Sequence, residues 1–91
     1  MATELNWGIV FKDANLNTIE VHKILRVSRV TVSHWKNNKH QPTHPLMRTR
    51  VERFIGLVAR ALENHKLPFD KQKLSLDERV ERITKILQSV Q

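Results

Sequence analysis

The stretch Val27-Ser-Arg-Val-Thr-Val-Ser-His-Trp-Lys-Asn-Asn-Lys-His-Gln-Pro42 decides the fold. A valine alternation runs into a Trp and then into a polar, basic run without an acidic residue. With a period of two, Val27, Arg29, Thr31, Ser33 and Trp35 share one face and Val30, Val32 and His34 the other. Neither face is apolar, as a half-buried strand requires. With a helical period, Val32 and Trp35 share a face and Val27 leads into it from a turn. Arg29, Ser33, Lys36 and Asn37 then lie on other sides. The β-branched residues favour a strand, but Ser28 is a good N-cap and no other segment offers a partner strand. The pattern predicts a helix from Arg29 to about Asn38, with a loop over Asn37–Pro42.

Working outward, Val21, Ile24 and Leu25 recur at the spacing of a buried stripe, which predicts a helix over Thr18–Leu25 capped by Asn17. Arg26-Val27-Ser28 joins it to the next. Further upstream, a helix is expected from about Glu4 to Asp13, with Thr3 as N-cap. Leu5, Ile9 and Lys12 share one of its faces, widened by Trp7, Val10, Phe11 and Ala14. Downstream, a long helix starts near Thr43 to Pro45, where Pro45 suits a first-turn position, and runs to about His65. Its stripe is Met47, Val51, Phe54, Ile55, Val58, Ala61 and Leu62. Residues 66–74 form a connection around Pro68 that carries Leu67 and Phe69. Ser75 to Glu78 reads as a capping box, and a fifth helix follows. Its Leu76, Val80, Ile83, Leu87 and Val90 alternate four and three apart, a short heptad seam. Glycine occurs only at Gly8 and Gly56, in keeping with a chain of helices. The expected fold class is all-α, with five helices in one domain: four helices over 1–65, the connection, and a C-terminal helix over 75–91.

Charge narrows the function. The chain has 91 residues, a formal charge of +7, no cysteine and 40% hydrophobic residues. Disulfides, thiolate metal sites and a cysteine nucleophile are therefore excluded. The N-terminal residues include Glu4 and no long apolar run, so neither a signal peptide nor a membrane span is expected. Residues 21–51 carry Lys23, Arg26, Arg29, Lys36, Lys39, Arg48 and Arg50 and not one Asp or Glu. The rest of the chain is nearly balanced. A solubility surface mixes both signs, whereas a one-sign block raises encounter rates with polyanions. Nucleic acid is the expected partner.

Residues 18–42 go further. Thr18-Ile-Glu-Val-His-Lys-Ile-Leu25, the turn Arg26-Val-Ser28, Arg29-Val-Thr-Val-Ser-His-Trp35 and the basic loop ending at Pro42 resemble the Cro/repressor-type helix-turn-helix family of phage, plasmid and bacterial regulators. The likeness covers roughly residues 5–62 and is specific over 18–42. It implies a five-helix lambda-repressor-like helix-turn-helix domain whose second motif helix enters the major groove. By position, Val21, Leu25, Val27, Val32 and Trp35 match buried sites. Arg29, Val30, Ser33, His34 and Asn37 match positions that reach base edges. Thr18 matches a backbone- or base-contacting position. Side-chain chemistry agrees: Arg pairs with guanine, Asn with adenine, and a Val can meet a thymine methyl group. Lys36, Asn38, Lys39 and His40 lie where phosphates would pass. Two positions depart from the family. His22 stands in place of a small Ala and is expected either to rotate outward or to widen the helix crossing. Arg26 stands in place of a Gly with left-handed backbone, at a cost on the order of 1 kcal/mol.

Other chemistries read less well. Trp35 at a helical core position is expected to pack rather than to stack on a base. Pro42 separates His40 from His44, and no Cys or nearby carboxylate completes a metal set, so no metal or cofactor is expected. Exposed His34, His40 and His44 beside phosphates would make binding stronger at lower pH. Asp77, Glu78 and Glu81 suit a helix's first turn rather than acid–base catalysis. With no nucleophile–base pair in view, no catalytic residue and no enzyme is expected. The expectation is a cytoplasmic, sequence-specific double-stranded DNA-binding regulator, a homodimeric repressor on a palindromic operator. Leu76, Val80, Ile83, Leu87 and Val90 then either pair two copies or complete the core of one. One alternative within DNA binding is an antitoxin-type autoregulator that also holds a protein; from a different class comes a phage DNA-packaging adaptor of the small-terminase kind. A protein-interaction module without DNA is the third reading.

Overall fold

The computed structural model describes residues 5–91, and every regular element among them is helical. A short π turn, Ile9–Asp13, precedes α1 (Thr18–Leu25), α2 (Arg29–Lys36), α3 (Pro45–Glu63) and α4 (Leu76–Ser89). The expected cap Thr3 and start Glu4 lie outside the described residues. Helix α2 stops at Lys36, short of Asn38, because Asn38 turns left-handed at φ 59°. No helix among the described residues is long and apolar enough to cross a membrane.

The N-terminal segment differs from the regular α-helix that its periodicity predicts. Ala14 N–H donates to Ile9 O at 2.9 Å, an i to i+5 bond, and Leu16 N–H reaches back to Val10 O at 3.1 Å. Only one strip of the segment's broad apolar surface faces the core. Trp7, Val10 and Ala14 are buried, Leu5, Ile9 and Phe11 only in part, and Lys12 is exposed. The expected Leu5–Ile9–Lys12 face is thus not the core face.

Local chemistry sets the remaining boundaries. Asn17 caps α1 in a reciprocal box with Glu20, at 2.8 and 2.9 Å. Ser28 accepts from Thr31 N–H at 3.1 Å to open α2. His44 caps α3, with Pro45 as its first residue. Ser75 and Glu78 form the box that opens α4. Each such cap stabilises its helix by about 1 kcal/mol. Helix exits use left-handed residues that are not glycine: Arg26 after α1, Asn38 after α2 and His65 after α3.

One core joins all the elements. α1 packs on α2 and α4, and α3 packs on the π turn and α4. Val10, Ala14, Val21, Val32, Val51, Val58, Ala61 and Ile83 have no exposed surface. Trp35 is buried and stacks on Trp7 with centroids 5.4 Å apart. Helix α4 settles where its seam goes. Ile83, Leu87 and Val90 are buried within the single chain, and Leu76 and Val80 are half-buried. Three of the five residues expected as candidates for dimerisation therefore belong to the monomer core, because α1 and α3 already cover them.

A buried charge ties the two ends of the chain together. Glu20 is fully buried. Its Oε1 accepts from Lys71 Nζ at 2.7 Å and from Asn17 N–H at 2.9 Å, and Arg79 Nε stands 3.5 Å from Oε2. Lys71 also donates to Asn15 O. The start of α1, the connection and α4 thus share one carboxylate. At the other end of α4, Arg60 Nη1 donates to Val90 O at 3.0 Å and Lys66 Nζ to Ser89 Oγ at 2.8 Å. The last turn of α4 carries no cation of its own, so α3 and the connection supply the positive charge that its dipole favours.

Candidate nucleic-acid interface

The turn Arg26–Ser28 fixes how α2 leaves α1. Arg26 takes φ 59° and ψ 43°, the left-handed conformation that Gly adopts most easily. His22 is half-buried, and its Nδ1–H donates to Val27 O. It neither turns away from the crossing nor only fills it; it braces the turn. Arg50 Nη2 reaches across from α3 and donates to Leu25 O at 2.7 Å, which satisfies a carbonyl at the end of α1.

On this frame α2 buries Val32 and Trp35 and turns the rest of its surface outward. Arg29 and Val30 are exposed, Val30 to 63%, and Ser33 and His34 are half-exposed. Thr18, Arg29, Val30 and Ser33 line one shallow groove between the start of α1 and the outer face of α2. Three of the expected base-contacting residues and one backbone-contacting residue are thereby brought together. His34 is not in that groove; its ring lies against His40 with centroids 5.0 Å apart. Asn37 caps the C-terminal end of α2 and is exposed. Lys36, Asn38, Lys39 and His40 are exposed as well. Lys36 and Asn38 line a second cleft, against the N-terminal segment.

The helix termini differ in a way that bears on charge. α1 carries Glu20 in its first turn, and α4 carries Asp77 and Glu78. α2 and α3 carry no acid there. Arg29 even places a cation at the positive end of α2, which costs about 0.3–1 kcal/mol in an isolated helix. Helix stability does not account for that placement, whereas an anion outside would reverse its sign.

Not every cation of the acid-free segment is available to a ligand. Arg50 is committed to Leu25 O, and Arg48 pairs with Glu52 at 3.0 Å while also donating to Pro42 O at 3.4 Å. Lys36 Nζ sits 5.3 Å above the Phe11 ring, a cation–π contact that orients the charge without neutralising it. Sequence reasoning missed the structural duty of Arg48 and Arg50, and it gave Glu20 neither its place in the cap of α1 nor its network. Among the described residues no three His, Asp or Glu side chains are grouped to hold a metal ion. No family model matches the chain, and no curated protein or solved structure is significantly similar to it.

Proposed function

We propose that this protein binds double-stranded DNA sequence-specifically, with α1 and α2 acting as a helix-turn-helix of the lambda-repressor-like kind and α2 lying in the major groove. The observation that carries this reading is the groove of Thr18, Arg29, Val30 and Ser33. It combines a guanidinium with no ion pair among the described residues, an apolar tip and a hydroxyl on the outward face of α2 with the Thr18 hydroxyl at the start of α1, and no carboxylate among its lining residues. A major-groove edge offers guanine acceptors and thymine methyl groups to such a set. The acid-free first turns of α2 and α3 add favourable dipoles for phosphates.

Arg29, Val30, Ser33, His34 and Asn37 are the base readers in this scheme. Thr18, Lys36, Asn38, Lys39 and His40 hold the backbone. The role is regulatory binding without chemistry: occupancy of an operator that blocks transcription. Two copies on a two-fold site fit the limited reach of one short helix. Of the seam residues, Leu76 and Val80 keep surface for a second copy.

Selection of bound sequences from random duplex DNA tests the reading. A conserved half-site, repeated in inverted orientation about one helical turn apart, is the expected product. Recovery of unrelated sequences would sink sequence-specific binding. A single unrepeated site would remove the two-fold arrangement alone.

A further inference from the structure

Helix α2 carries a depression at each end. Arg29 at its start shares the groove with Thr18, and Lys36 at its close shares the second cleft with Asn6, Trp7, Phe11 and Asn38. We propose that this second cleft seats a phosphodiester of the DNA strand opposite the one met at Thr18, with Asn6 as an unrecognised backbone-binding residue; the inference rests on the DNA-binding reading above.

Geometry comes first. α2 has eight residues, and at 1.5 Å per residue it is about 12 Å long. The major groove is about 12 Å wide between its two phosphate walls. With α2 seated in the groove, its two ends stand about as far apart as those walls, and each end has a depression ready to meet one. The chemistry of the second cleft suits a phosphate. Its lining residues comprise one ammonium and two amides and no carboxylate. Lys36 forms no ion pair among the described residues, and Phe11 fixes its ammonium at the cleft. Asn38 Oδ1 accepts from Gln41 Nε2 at 3.4 Å, so its own amide N–H groups remain free to donate. Gly8 matters through space rather than conformation. Its φ is an ordinary helical −59°, but a Cβ there would stand 3.2 Å from Asn6 Oδ1. The missing side chain lets the Asn6 amide lie at the cleft.

The test uses the whole chain and a duplex carrying a selected site, scanned with single methylphosphonate linkages, which are neutral. Wild type is expected to lose roughly three- to tenfold in affinity at one linkage on the strand opposite the Thr18 contact. Lys36→Ala and Asn6→Ala should each bind the unmodified duplex more weakly and be indifferent to that same linkage, with the log–log salt slope of Lys36→Ala shallower by about 1. Both side chains are exposed, so neither change removes a core contact. Wild-type affinity in Asn6→Ala and Lys36→Ala, with an unaltered linkage profile, overturns the proposal. Saturable shifts of the Asn6 and Lys36 resonances with inorganic phosphate, but no sensitive linkage, overturn it too, in favour of a small-anion site. Arg29→Ala separates the levels. If Arg29→Ala relaxes base preference while Asn6 and Lys36 are silent, the cleft assignment alone fails. If wild type and Arg29→Ala alike show no preference, the parent reading fails with it.

Discussion

Arg26 and Arg29 stand three residues apart, and each works against stability for a different reason. Arg26 holds a left-handed backbone that costs an L-residue about 1–2 kcal/mol. Arg26→Gly is therefore expected to raise the unfolding free energy by about 1 kcal/mol in urea titration, with the cost of glycine's extra chain entropy offsetting the rest. Arg29→Ala should stabilise the fold slightly, by no more than about 1 kcal/mol, and weaken specific DNA binding by about 1–3 kcal/mol, relaxing preference at one base position. Lys39→Ala should weaken all sequences alike and flatten the salt dependence. Identical behaviour of the last two in a binding titration against matched and mismatched duplexes would show that base and phosphate roles are misassigned. At this scale the sequence is legible where side-chain chemistry is local. The cap at Ser28 and the burial of Trp35 follow from near neighbours, whereas the left-handed backbone at position 26 is implied only by the resemblance to the helix-turn-helix family. The tasks of Arg48 and Arg50 do not, since Arg50 finds Leu25 O twenty-five residues away in the chain.

Elements are read well where periodicity is long and caps are present. The stripe of α3 and the Ser75 box of α4 appear in the chain much as they appear in space. The N-terminal segment is read less sharply: of its broad apolar surface the strip Trp7, Val10 and Ala14, three and four apart, is buried, while Leu5 and Ile9 are buried only in part and Lys12 is exposed. Contact between elements is harder still. Nothing in Glu20 alone says that it is the meeting point of α1, the connection and α4. Removing its charge leaves Lys71 and Arg79 facing a neutral amide. Glu20→Gln is expected to destabilise the fold by up to about 3 kcal/mol, at the low end for a broken buried pair because both cations keep some access to water. A urea midpoint equal to that of wild type would show that the network contributes nothing net.

For the molecule as a whole, the seam of α4 presents a choice that periodicity cannot make: a four–three spacing serves a partner helix of the same chain as well as a second copy. Burial decides for Ile83, Leu87 and Val90. Ile83→Ala should then cost about 2–5 kcal/mol in a monomer's unfolding, through lost burial and the cavity left behind. Its unfolding midpoint should not depend on protein concentration beyond what wild type shows. A change in sedimentation from dimer to folded monomer, with stability kept, would return the residue to an interface. The shared carboxylate also bears on how the chain can be cut. Residues 66–74 look like a linker, yet Leu67 is buried and Lys71 is anchored at Glu20 and Asn15. A protease that cleaves after lysine should attack exposed Lys73 well before Lys71, and in Glu20→Gln the two bonds should become similarly labile. The tie at Glu20 thus makes residues 75–91 a fixed part of the body that carries α1 and α2 rather than a detachable tail.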